Sequence, residues 1–164
     1  MGRETRIDGM PDGTGSLRSG VSEPIPNETW WRDFLRATPP RTAKLAVVRA
    51  DGSPQVAPVW VDFDGDDIVF TTGEGTTKGK AIQRDPRVAF CFDDERPPFT
   101  FVLVRGTATI SRDPDDLLEW ATRIGGRYMG AEAAEQFGRR NAVPGELLVR
   151  VTPTRVVAER DIAD

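Results

Sequence analysis

Histidine is absent from all 164 residues, and with it go the commonest general base, metal ligand and nucleophile activator. A single cysteine, Cys91, leaves no partner for an internal disulfide and makes a reduced, cytoplasmic setting the simplest expectation. No apolar run reaches the roughly 18 residues of a membrane-spanning helix, and charges stand near the N-terminus where a secretory leader would place its apolar stretch. A general basic face is missing as well. The net charge is −4 and the pI about 5.0, so nucleic-acid binding driven by counterion release is not expected, and any anion site must be local. No internal repeat or coiled-coil pattern is present.

What remains is ordinary for one globular domain: 38% hydrophobic and 29% charged residues on a chain long enough to bury a core. Residues 1–26 mix Gly, Ser, Pro and charge without apolar periodicity and read as a flexible tail. Residues 27–164 read as a single domain. Asn27 is placed to cap a short helix, NETWWRDFLRA, with Trp30, Phe34 and Trp31 on its apolar face and Pro39-Pro40 as its stop. The segments 43–50 and 54–63 flank Asp51-Gly52, a hairpin signal, and Gly65-Asp66-Asp67 turns the chain into IVFTT. RVAFCF, an acidic loop DDERPP at 93–98 and a strand-pair region FTFVLVRGTATISR follow. Asp113-Pro114 opens a helix over 114–129 with Leu117, Leu118, Ala121, Ile124 and Tyr128 at helical spacing. Residues 131–139 form a further helical piece, and ELLVRVTPTRVVAER closes the chain as a strand. About six strands with few intervening helices predict a mainly antiparallel barrel over a doubly wound sheet.

The most informative stretch is FTTGEGTTKGKAIQRDPRVAF, residues 70–90: strand, Gly/Thr turn, helix, strand. A helix start carries unpaired backbone N–H groups and the positive end of the macrodipole, so Thr76, Thr77, Lys78 and Lys80 there form a seat for phosphate. Thr71 and Thr72 at the strand end are either β-formers on a wet face or hydroxyls that reach the same phosphate. Gly79 is either a tolerated helix glycine or the place where an anion approaches the backbone. Lys80 and Arg84, four apart, share one helix face. Pro58 requires an edge or a bulge, because it cannot donate to a sheet ladder. Cys91, between Phe90 and Phe92, reads as a buried inert thiol.

The order VWVDF, IVFTT, then TTKGKAIQRDPRVAF resembles the flavin-binding split-barrel group that includes pyridoxamine phosphate oxidase, over about Thr42 to Val157. Within that group RDPRVA with its acidic loop, RYMG, and GRRNAVPGELLVRVTPTRVV resemble the branch that uses the deazaflavin coenzyme F420. The resemblance implies a homodimeric split barrel with the cofactor between subunits and a hydride passed from reduced F420 to an electron-poor, small planar substrate such as an enone or quinone. It implies cofactor contacts from Pro58, Val59 and Trp60 to the ring, although Trp60 is equally readable as core or dimer packing. It also implies contacts from Thr71, Thr72, Lys78, Gly79, Lys80 and Arg84 to the phosphate and anionic tail, with Arg87 adding charge beside Arg84. A deazaflavin carries the hydride itself, so no residue is assigned as catalytic and no metal is expected. Tyr128 and Asn141 are read as packing and turn residues that could also shape a substrate pocket. Two other readings stay open: an FMN-binding oxidoreductase of the same fold, and a non-catalytic deazaflavin- or tetrapyrrole-binding protein. Against the oxidase proper, the sequence ends ERDIAD without a Trp- and Arg-rich terminus.

Overall fold

The structure, a computed structural model, describes residues 25–163; nearly all of the expected tail lies outside them. Ile25, its first described residue, packs against the core. The helix α1 runs Trp30–Arg36 with Thr29, not Asn27, at its N-cap, and buries Trp31 and Leu35. Trp30 and Phe34, expected to lead that face, are only partly buried, and Trp31 and Leu35, one position further on, fill the core instead.

Seven strands follow: β1 Ala43–Val48, β2 Pro54–Val59, β3 Asp62–Asp64, β4 Asp67–Gly73, β5 Arg87–Asp94, β6 Thr100–Ser111 and β7 Glu146–Arg160. They form one antiparallel sheet in the order β2-β1-β5-β6-β7-β4-β3. The edge strands β2 and β3 are separated in sequence by only Trp60 and Val61, so the sheet must curl until its two edges meet without a ladder between them. That is a split barrel, as expected, and Pro58 sits on an edge strand as its missing N–H requires. The 54–63 run therefore divides into two strands. The region expected as a strand pair is one long strand, β6, bent by a register shift between Arg105 and Gly106. A Cβ on Gly106 would come within 2.5 Å of the Thr152 carbonyl oxygen, so the bend needs glycine there. Asp93 and Asp94, expected in a loop, extend β5.

Alternation in β1, β4, β5, β6 and β7 points Leu45, Phe70, Phe90, Phe92, Val102, Val104 and Val149 into the barrel. The same alternation turns Cys91 to the other side, where it is only partly buried. Burial and Asp93 push its thiol pKa up, consistent with an inert group.

The helix α2 spans Thr77–Arg84 between β4 and β5. The helix α3, Pro114–Met129, begins at Asp113, whose carboxylate accepts from the amides of Asp115 and Asp116. It packs Leu117 and Trp120 on Val69 and Leu148, covering the outer face of β4 and β7. This explains why Ile68, Val69 and Phe70 are all buried. Trp120 takes the inward place, and Leu118 is exposed. A 3-10 turn, Ala131–Ala133, and α4, Ala134–Asn141, fold back onto α3. Among the described residues no helix is long and apolar enough to cross a membrane.

Arg32 fastens α1 to the turn between β3 and β4, donating from Nε and Nη2 to the two carboxylate oxygens of Asp66 at 2.7 Å each. These hydrogen bonds, and then the charges of Arg32 and Arg36, hold the Asp66 pKa below its ordinary 3.8 despite partial burial. A lowered carboxylate pKa contributes stability above the ordinary value and loses it as pH falls through the lowered one. Asp66→Asn is expected to cost about 0.5–1 kcal/mol at neutral pH, as for a half-exposed bidentate pair. In urea unfolding the gap to wild type should close once the pH drops below the ordinary carboxylate range; a gap that persists in acid would assign the loss to something other than the ion pair.

Candidate functional site

The end of β4 and the start of α2 make a tight corner. Thr76 caps α2 in extended conformation. Its Oγ1 accepts from the Gly79 amide at 3.0 Å, donates to the Gly73 carbonyl oxygen at 2.8 Å and lies 3.0 Å from Thr72 Oγ1. Thr72, 4% exposed, is a buried hydroxyl whose partner is that cap. The corner leaves the amides of Thr77 and Lys78, the first two helical residues, outside the helix's own ladder.

A cavity of about 360 Å3 opens at this corner, lined by Pro58 and Val59 from the end of β2, Trp60 just after it, Thr71, Thr72 and Gly73 from β4, and Thr76 and Lys78. Ile124, Asn141 and Glu146 complete it. Six of the nine residues expected at a cofactor site thus share one cavity, although 58–60 and 71–78 are separated by a turn and two strands. Lys78 is half-buried, and its ammonium makes no hydrogen bond or ion pair with any described residue.

Trp60 both lines the cavity and packs. Its ring stacks on Tyr128 with centroids 5.0 Å apart and planes 3° from parallel, and Phe137 leans on it at 5.7 Å. The Tyr128 hydroxyl donates to the Arg41 carbonyl oxygen at 2.6 Å and accepts from the Val61 amide at 3.3 Å. Burial pushes its pKa up, so it is a fixed neutral prop under Trp60.

The other three expected residues lie elsewhere. Gly79 is buried, its amide is occupied by Thr76, and a Cβ there would stand 2.2 Å from the Gly73 carbonyl oxygen. Its missing side chain makes room for the protein's own backbone. Lys80 and Arg84 project from the opposite face of α2 into a separate groove of about 470 Å3, with Arg49, Asp51, Gly75 and Thr77. Thr77, expected in the phosphate seat, belongs to that groove as well. Arg84 donates to the Val48 carbonyl oxygen. Arg87 is engaged with Asp85 at 2.7 Å, and its hydrogen bonds pull the Asp85 pKa down to about 2.

Glu146 escapes sequence reasoning. It is the first residue of β7 and pairs across the ladder with Gly73, a neighbour 73 positions away in sequence. No local signal announces it; only the register of β4 against β7 delivers it. Burial pushes its carboxyl pKa above the ordinary 4.5, and Lys78 pulls the other way.

Comparison with known proteins identifies the family. The sequence profile described as pyridoxamine 5'-phosphate oxidase matches residues 30–159. A pyridoxine/pyridoxamine 5'-phosphate oxidase of Rubrobacter xylanophilus is 34% identical over 113 residues, covering 65% of this chain and 50% of that protein. A second, from Brucella anthropi, is 34% identical over 110 residues, covering 65% of this chain and 54% of that protein, so the chain spans about half the length of these relatives. Among solved structures, one described as an F420 reductase is 28% identical with a TM-score of 0.58, over 72% of this chain and 90% of that one.

Proposed function

Because the chain belongs to the pyridoxamine 5'-phosphate oxidase family, we propose that the cavity at the β4–α2 corner seats the phosphate of a flavin-type coenzyme, and that this coenzyme is the deazaflavin F420. The observation that carries the phosphate reading is the half-buried Lys78 ammonium, which makes no hydrogen bond or ion pair among the described residues, in one cavity with Thr71, Thr72 and the start of α2. The preference for F420 rests on the second groove. Thr76 and Lys78 face the cavity while Thr77 and Lys80 face the groove, so the two sites are separated only by the first turn of α2. Arg49, Lys80 and Arg84 there suit a chain of carboxylates, which F420 carries beyond its phosphate and FMN does not. The 28% identical F420 reductase supports the same choice.

Bound in reduced form, the deazaflavin supplies the hydride for an electron-poor C=C, C=N or quinone-type substrate, making the protein an oxidoreductase. The chain's own part is placement. Lys78 anchors the phosphate, and Pro58, Val59 and Trp60 border the space beside it, Trp60 held rigid by Tyr128. Positioning of this kind needs no histidine. A homodimer belongs to the proposal, since the cavity is open and a second copy would close it against water. A cytoplasmic setting fits the lone Cys91.

The test is titration of the protein with oxidised F420 and with FMN, followed by tryptophan and cofactor fluorescence at two salt concentrations. Tighter, salt-sensitive binding of F420 is expected. Preference for FMN would transfer the protein to the flavin-binding branch, and binding of neither would leave a tetrapyrrole ligand or a non-catalytic role. Lys78→Ala should weaken the preferred coenzyme by on the order of 1–3 kcal/mol, the loss of one charge-assisted contact; unchanged affinity would remove Lys78 from the site.

A further inference from the structure

The pocket proposed to hold an anion contains an anion of its own. The β4–β7 register sets Glu146 opposite Gly73, and its Oε1 would lie 3.4 Å from a Cβ on that glycine. The carboxyl accepts no hydrogen bond and makes no ion pair among the described residues. It lines both the Lys78 cavity and the adjoining one formed by Arg112, Leu117, Ala142 and Pro144. The remaining nearby charges are committed elsewhere: Glu74 and Arg112 face each other at 3.7 Å, and Arg112 also donates to Gln83 at 2.8 Å. Lys78 is therefore the cation that answers Glu146, and with both ionised their charges cancel.

Resting on the phosphate-seat reading above, we infer that Glu146 is a specificity residue: it makes the pocket select a singly charged phosphodiester over a doubly charged phosphate monoester. A diester carries one negative charge near neutral pH, whereas a monoester carries about −1.5 to −2. Against the one cation Lys78, which Glu146 already offsets, each added phosphate charge goes uncompensated, and a monoester brings the greater number. The second charge of a monoester would face Glu146 in a partly desolvated site, where like charges repel strongly. The upward push on the Glu146 pKa by burial agrees with a carboxyl that lacks hydrogen-bond donors. The residue would thus sort coenzymes by how their phosphate is esterified, independently of the ring.

Two ligands sharing one ring test this: riboflavin 5'-phosphate and its methyl phosphodiester, titrated at pH 8 by flavin fluorescence into wild type, Glu146→Gln, Glu146→Asp and Lys78→Ala. Wild type is expected to bind the diester at least as tightly as the monoester. Glu146→Gln should tighten the monoester by on the order of tenfold and leave the diester almost unchanged. Glu146→Asp, which keeps the charge, should keep the wild-type order. An unchanged ratio in the Gln variant, or loss of selectivity in the Asp variant, would overturn the inference. The two readings separate through Lys78→Ala. If it weakens both ligands while the ratio ignores Glu146→Gln, the seat stands and only the selectivity role falls. If it affects neither ligand, the seat itself falls.

Discussion

Phe90→Ala is expected to lower the unfolding free energy by about 3–5 kcal/mol, the range for removing a buried aromatic side chain and leaving a cavity. Phe90 is 1% exposed and sits where the barrel wall can least relax. Its strand, β5, is held on both sides, with Leu45 opposite Phe90 on β1 and Val104 opposite it on β6. Its ring meets Phe70 edge-on at 5.9 Å and 83°, and Phe92 at 6.1 Å. Neither strand can close inward without breaking register, so the void should persist. Against a total stability of about 5–15 kcal/mol for a domain, such a loss is a large share of the whole. Chemical denaturation should show a lower midpoint with an unchanged slope. A loss under about 1 kcal/mol would mean that the aromatic cluster repacks, contrary to the strand constraints.

Gly79→Ala is the second large effect, and it runs against simple helix propensity. In an open helix the substitution would stabilise by up to about 1 kcal/mol. Here the new methyl would stand 2.2 Å from the Gly73 carbonyl oxygen and 3.1 Å from Thr76 Oγ1. The obstacle is backbone, which cannot rotate away as a side chain can, so α2 must move off the end of β4. That displacement strains the hydrogen bonds joining Thr76 to Gly73, Gly79 and Thr72. A net destabilisation of about 1–3 kcal/mol is expected, as for other overpacking changes. Because Thr72, Gly73, Thr76 and Lys78 all line the cavity, coenzyme affinity should fall with stability. Lys78→Ala should instead reduce affinity for the proposed coenzyme with little effect on stability, since that ammonium makes no hydrogen bond or ion pair among the described residues. Thermal melts and coenzyme titrations on both variants distinguish the two. A Gly79→Ala protein as stable as wild type would show that the corner is looser than its hydrogen bonds indicate.

Much of the local structure was legible from neighbouring residues. Asp113-Pro114 marks the start of α3 through a cap and a proline, both read within one turn. The Thr/Lys/Gly run forms the expected short helix between two strands. Errors arose where a choice depended on distant packing. Leu118 and Trp120 both fit an amphipathic pattern, and only contact with Val69 and Leu148 decides for Trp120. The FTFVLVRGTATISR run reads as a strand-pair region, but pairing with β7 along its length makes it one bent strand.

The site divides along the same line. Sequence by itself determined that a capped helix start would form near Lys78, because capping, helix-start amides and turn chemistry act over a few residues and need no partner from afar. It determined the β-rich class too, through alternation and turn spacing. Only the tertiary structure decided that Lys80 and Arg84 part company with Lys78 across α2, that Gly79 faces Gly73 rather than the cavity, and that Glu146 enters the pocket. The physical reason is register. A strand's partner is chosen by burying one face of the whole sheet, and a slip of one residue would turn Glu146 away from the cavity and Leu147 out of the core. The register of β4 against β7 therefore sets the charge of a pocket that neither strand contains alone.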